Sequence, residues 1–222
     1  MDWFITLHVI NLVLFTLLGL AAILLVRRQR GLAAAVSLAA ITLYVPCYAG
    51  FDAIVGLGTG SLVRYAAGVN PAQFPVLEPA IDVIWNGALS YALGALGSIA
   101  WLVAMLAAAV AFAPPGRRLL VTALQLIGFA VFGWAASGGA AYFSPLWWVA
   151  IVFPTILVFV AARMQIVPAL LTLAGMLFAV THVPPSGPLA MAAFLAAAVW
   201  VELRPAAEAP MQPTILAAPA AY

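Results

Sequence analysis

The feature that most constrains this chain is the length of its uncharged apolar stretches. Between Arg118 and Arg163 the sequence contains no charged side chain, although one membrane-spanning helix needs only about 20 apolar residues. Over the whole chain 67% of the residues are hydrophobic and 6% are charged, whereas soluble domains carry about 25% charged residues. Inside a bilayer a helix satisfies its own backbone hydrogen bonds. The sequence therefore predicts an all-α, polytopic transmembrane helical bundle.

Clusters of glycine, proline and arginine divide the apolar sequence into seven predicted spans. These spans form one domain over residues 1–204, with an outer connector at 56–79. The tail, 205–222, is rich in alanine and proline, a composition typical of disorder. The predicted spans are 3–26, 32–55, 80–112, 119–137, 145–162, 166–182 and 189–203.

The arginines predict the orientation of these spans. With seven crossings only Arg64 falls on one face, and the other arginines fall on the opposite face: Arg27, Arg28, Arg30, Arg117, Arg118, Arg163 and Arg204. Because basic residues favour the cytoplasmic side, we expect the N-terminus outside and the tail in the cytoplasm. The chain has no lysine and much alanine, which favours a GC-rich bacterial genome. The predicted location is the inner (cytoplasmic) membrane of a bacterium.

Two groups of small residues stand out, and each has an ordinary explanation. Gly56, Gly58 and Gly60 match neither a dinucleotide-binding pattern nor a P-loop, so we interpret this segment as a helix terminus and turn. Ser90, Gly94 and Ser98 are spaced by four and share one helix face. Such a face is typical of internal packing in membranes. The functional alternative is a seam between two copies of the chain.

Polar side chains collect at the predicted outer face. Ionisable groups at membrane depth are costly and are functional candidates for that reason. Asp52 is predicted to end a helix, where the helix dipole disfavours an anion, so its carboxylate needs a cationic partner. Tyr48 precedes it by one helical turn and is predicted to line a cavity beneath it. The candidate binding residues are Tyr48, Asp52, Arg64, Glu78, Asp82 and His182, and the candidate partners of Asp52 are His8, Arg64 and His182.

Glu78 and Asp82 have a structural interpretation as well. Glu78 precedes Pro79, and proline favours the first helical position. The two acids would then flank a helix N-terminus, where negative charge is stabilised.

The sequence predicts no metal and no cofactor. His8, His182 and Asp52 have the ligand types that suit zinc, but their spacing matches no local zinc motif. Two histidines would allow one haem at most. A covalently bound retinal requires a lysine, which the chain lacks. The few, scattered basic residues exclude a nucleic-acid-binding patch.

Two classes of function follow from these observations. The first is a non-enzymatic accessory subunit, or a binder or carrier of a small or lipidic molecule, with its polar cluster at the outer leaflet. The expected partners are the bilayer and either a membrane protein or a second copy meeting the Ser90/Gly94/Ser98 face. The alternative is a membrane-embedded enzyme acting on a lipidic substrate. There His8 or His182 would be the general base, oriented by Asp52, or these three residues would bind a metal.

Overall fold

The computed structural model describes residues 2–68, 74–137, 144–180 and 186–203. These ranges fold into helices and short turns and contain no strand. His182 and the tail at 205–222 lie outside them, so the predictions for His182 and for the tail stay predictions.

Helices account for almost all of the described residues. A π-helical segment, Ala53–Gly58, joins α2 to α3, and a short 3-10 turn, Pro115–Arg117, precedes α6. The α-helices are α1 (Asp2–Val26), α2 (Leu32–Asp52), α3 (Thr59–Ala66), α4 (Phe74–Asn86), α5 (Ala88–Phe112), α6 (Arg118–Ser137), α7 (Pro145–Ala161), α8 (Ile166–Val180) and α9 (Ser186–Leu203).

The helices have the length and composition of a membrane protein. Five apolar helical stretches are long enough to cross a bilayer, namely Asp2–Val26, Leu32–Ala66, Phe74–Phe112, Pro115–Trp134 and Ser186–Leu203. Two shorter apolar helices lie at Pro145–Ala161 and Ile166–Phe178. The outside of the bundle is apolar too: Val13, Leu126 and Val160 are each more than half exposed. Water-soluble monomers rarely expose continuous apolar surface of this kind, so the chain is suited to lipid.

The segment predicted as the outer connector is largely helical. Residues 56–66 continue the helix that begins at Leu32, and α4 begins at Phe74, six residues before the predicted third span. α3 and α4 pack together through apolar side chains, including Val63, Leu77 and Ile81. Leu77 and Ile81 are four residues apart and share one helix face. This contact between helices outweighs the glycines and prolines that suggested an irregular connector.

An aromatic cluster forms the centre of the bundle. The side chain of Trp101 is fully buried on α5, and its Nε1–H donates a hydrogen bond of 3.0 Å to the carbonyl oxygen of Ala174 on α8. Tyr44 and Tyr48 of α2 pack around it together with Phe178 of α8. α2 and α5 approach closely where Gly97 meets the backbone and ring of Tyr48. The cluster therefore fixes α2 against α5 and α8.

The face defined by Ser90, Gly94 and Ser98 contacts the chain itself. Ser90 is buried, and its hydroxyl donates to the carbonyl oxygen of Ile84, just before the break at Gly87. Gly94 lies against the ring of Phe51 on α2. Association of two copies through this face stays a prediction, and the packing of Ser90 and Gly94 gives it no support.

A smaller buried cluster joins two connections at one end of the bundle. Ala113, which follows α5, packs with Ala161 and Ala162 at the end of α7. Val121 and Val158 complete the cluster. The connection that carries Arg117 and Arg118 therefore lies beside the connection that carries Arg163.

Candidate functional site

A hydrogen bond between α1 and α2 forms the centre of the candidate site. Nδ1 of His8 lies 2.8 Å from Oδ1 of Asp52, and the two side chains are 18% and 9% exposed. An ionised carboxylate only accepts hydrogen bonds, so Nδ1 is the donor. The second imidazole nitrogen, Nε2, is then available to another group.

Two glycines that follow Asp52 explain how the His8 ring reaches its carboxylate. Asp52 is the last residue of α2, and Gly56 lies one turn later in the π segment. A Cβ atom at Gly56 would fall on Nδ1 and Cγ of His8, and one at Gly60 would fall on Ile5 and Phe4. The pair at i and i+4 thus allows α1 to cross closely, as small residues do in membrane helices. Short π segments also occur frequently at functional sites.

His8 and Asp52 lie in the wall of a cavity of about 460 Å³. Its polar lining includes these two side chains, Asn11 one turn beyond His8 on α1, and the phenol of Tyr48. The rest of the lining is largely aromatic and apolar and includes Phe4, Phe15, Phe51, Trp85, Phe178 and Met191. Apolar cavities with a few convergent polar groups are typical of small-molecule sites.

The carboxylate of Asp52 is only half satisfied by His8. Asp52 is 7% exposed, and its Oδ2 has no hydrogen-bond partner among the residues that the structure describes. An unpaired charged oxygen in an apolar environment is costly. The site is therefore suited to a molecule that brings a hydrogen-bond donor to Oδ2.

Three of the other predicted site residues lie elsewhere or have other partners, and a fourth shares the cavity. Arg64 pairs with Asp2 at 3.4 Å, where both side chains are well exposed. Asp82 accepts a 2.6 Å hydrogen bond from the side-chain amide of Asn86, one turn further along α4. Glu78 lines a separate cavity between α3 and α4. Tyr48 lines the cavity with His8 and Asp52.

Two of the electrostatic arguments from the sequence fail for a shared reason. Asp52 lies inside a continuous helix from Leu32 to Ala66, so no free C-terminal dipole faces it. Arg64 is twelve residues further along that helix, about 18 Å away at 1.5 Å per residue. Glu78 and Asp82 do not flank a helix N-terminus, because α4 begins at Phe74. In each case the helix extends beyond the boundary that glycine and proline suggested.

Four residues of the site were not recognised in the sequence. Asn11 has a detectable signal, because it lies three residues after His8 and shares its helix face. Gly56 and Gly60 have the spacing of a close helix crossing, but the sequence does not say which helix crosses there. Trp85 belongs to α4, and its place in the cavity depends on how α3 and α4 turn back on α2.

The described histidine, cysteine, aspartate and glutamate side chains form no group of three that could hold a metal ion. His8 and Asp52 provide two such side chains, and His182 is outside this set.

No family model, no curated protein and no solved structure matches the chain.

Proposed function

We propose that this chain is a membrane protein that binds or carries a small amphipathic molecule in the cavity beside His8 and Asp52. The observation that carries the proposal is the buried Asp52 carboxylate. One of its oxygens is bonded to His8, and the other is unpartnered within the described residues, at the wall of an apolar cavity of about 460 Å³. A ligand with an apolar body and a polar end matches both parts of that lining.

We propose further that the chain crosses the membrane seven times, with the N-terminus outside and the C-terminus in the cytoplasm. The five long apolar stretches and two shorter apolar helices support this number. The packing of Ala113 against Ala161 and Ala162 supports the orientation, because it brings the connections with Arg117, Arg118 and Arg163 to one end. Basic residues favour the cytoplasmic side, so the cavity would lie near the outer surface of a bacterial inner membrane.

The proposal is tested by closing the cavity and examining what the protein retains. Met191 lines the cavity from α9, and Met191→Trp would fill it. Val199 lies on the same helix but is 55% exposed, so Val199→Trp is the matched control. Each protein is extracted from cells directly into polymer nanodiscs and analysed by native mass spectrometry. We expect the wild-type chain and Val199→Trp to retain a small molecule that Met191→Trp loses. Equal retention by all three proteins, or none by the wild type, would contradict the proposal.

The same hydrogen bond favours a second candidate, an enzyme acting on a lipidic substrate. A carboxylate bonded to Nδ1 of a histidine orients the ring and leaves Nε2 as a general base. His8 and Asp52 meet this requirement. Reconstituted protein is incubated with radiolabelled membrane lipids, with His8→Gln as the inactive control. A labelled product formed by the wild type alone would support the enzyme, and the absence of any product would remove it.

A further inference from the structure

We infer that the ligand is an amphiphile with a single alkyl chain and a hydrogen-bond-donating, non-anionic head, such as an amine or a hydroxyl group. The head of the ligand contacts Asp52, and its alkyl chain lies between α1 and α9. This inference rests on the proposed function and specifies the ligand of the same site.

The evidence for an alkyl chain on the ligand is a second cavity that continues the cavity beside His8 and Asp52. It measures about 470 Å³ and lies between α1 and α9. The two cavities share three lining residues, Asn11, Phe15 and Met191. Beyond Asn11 the lining is entirely apolar and consists of leucines, Phe15, Ala21 and Met191. A ligand at His8 and Asp52 can therefore continue into an apolar groove without a polar barrier.

The dimensions of this groove match a long alkyl chain. From His8 to Ala21 helix α1 rises about 20 Å at 1.5 Å per residue, close to the length of an extended hexadecyl chain. The apolar core of a bilayer is about 30 Å thick, so such a chain reaches beyond its middle. Leu14, Leu17 and Leu195 border the groove and are about half exposed. The groove is thus open to the surrounding lipid, and a chain can enter sideways.

The charged side chains around Asp52 determine which chemical group can form the head of the ligand. Oδ2 of Asp52 is a buried acceptor that no described side chain satisfies, and a carboxylate oxygen repels an anionic head. The chain has no lysine, and none of the arginines in the described ranges lines either cavity. A carboxylate or phosphate head would therefore meet the Asp52 carboxylate with no lysine or arginine beside it among the described residues. An amine or hydroxyl can instead donate to Oδ2 of Asp52.

Four probes test the inference on the full chain in nanodiscs, with binding measured by native mass spectrometry against empty nanodiscs. The probes are hexadecylamine, hexadecan-1-ol, hexadecanoic acid and butylamine. We expect hexadecylamine to bind at least about tenfold more tightly than hexadecanoic acid, since a hydrogen bond to a charged group is of that order. Hexadecan-1-ol should also bind more tightly than the acid. Asp52→Asn keeps the shape of the side chain and should weaken hexadecylamine binding by a similar factor.

A second variant examines the groove without touching the head. Leu18 lines the groove, and Leu18→Trp would block it. Leu20, two residues further along α1, is 51% exposed and lines neither cavity, so Leu20→Trp is the control. We expect Leu18→Trp to weaken hexadecylamine binding about tenfold and to leave butylamine binding unchanged. Leu20→Trp should change neither.

The outcomes separate this inference from the proposed function. If butylamine binds as tightly as hexadecylamine, or if Leu18→Trp has no effect, the groove does not hold an alkyl chain. The cavity beside His8 and Asp52 then remains a binding site. If hexadecanoic acid binds as tightly as the amine, or if Asp52→Asn has no effect, the assignment of the head is overturned. Binding of none of the four probes would contradict the proposed function itself.

Discussion

Replacing Gly56 by leucine is expected to destabilise the folded chain by about 3 kcal/mol, because overpacking and a broken hydrogen bond to a charged group each contribute. A Cβ atom at this position would overlap Nδ1 of His8. The imidazole would have to leave Asp52, and α1 would have to move away from the π segment. Reversible unfolding in mixed micelles, followed by circular dichroism, measures this loss. The same variant should lose the small molecule that the wild type retains.

A second helical glycine provides the control for this substitution. A Cβ atom at Gly133 on α6 would meet nothing within 4 Å. We expect Gly133→Leu to be neutral or to stabilise the chain by up to about 1 kcal/mol, since glycine is a poor helix former. If Gly56→Leu and Gly133→Leu unfold alike, the close crossing of α1 over Gly56 is wrong.

Replacing His8 by phenylalanine is expected to cost about 1–3 kcal/mol, the range seen when a buried group loses its hydrogen-bond partner. Phenylalanine keeps a ring of similar size but leaves both oxygens of Asp52 without the imidazole donor. The double variant His8→Phe/Asp52→Leu should recover much of this loss, because a buried pair replaced by apolar side chains is often neutral. A double-mutant cycle by unfolding in mixed micelles measures the coupling. Strictly additive effects would contradict the hydrogen bond.

The double variant also separates a structural role from a functional one. If it folds as well as the wild type and no longer retains a small molecule, the pair serves binding and is not needed for the fold. If it folds poorly and still retains the molecule, the pair holds α1 against α2 and the ligand is held by other side chains.

The helical class and the apolar exterior were predictable, because lipid leaves the backbone few alternatives. The need of Asp52 for a partner was inferred from a helix dipole that the continuous helix does not present to it, and the structure gives the partner another reason, the cost of a buried carboxylate. Which partner it has was not readable, because that depends on whether the helix ends at Val55 or continues to Ala66.

The boundaries that were misread all involve glycine or proline near a helix end. Gly56, Gly58 and Gly60 have low helix propensity, yet they lie inside a helix because α1 packs on two of them. Pro79 was taken as the first residue of a helix, but α4 begins five residues earlier and packs on α3. In both places, contacts between distant segments outweighed the low helix propensity of glycine and proline. Those contacts cannot be read from one sequence.

We propose that lipid surrounds these helices and that the His8–Asp52 cavity faces the outside of the cell. Cysteine labelling tests it most directly. Cys47 is the only cysteine, so single cysteines at Gly68 and Gly116 are introduced into a Cys47→Ala chain and treated with a membrane-impermeant maleimide in spheroplasts. With seven crossings and the N-terminus outside, we expect Gly68→Cys to react in intact spheroplasts and Gly116→Cys to react only after lysis. Reaction of both cysteines before lysis would contradict it.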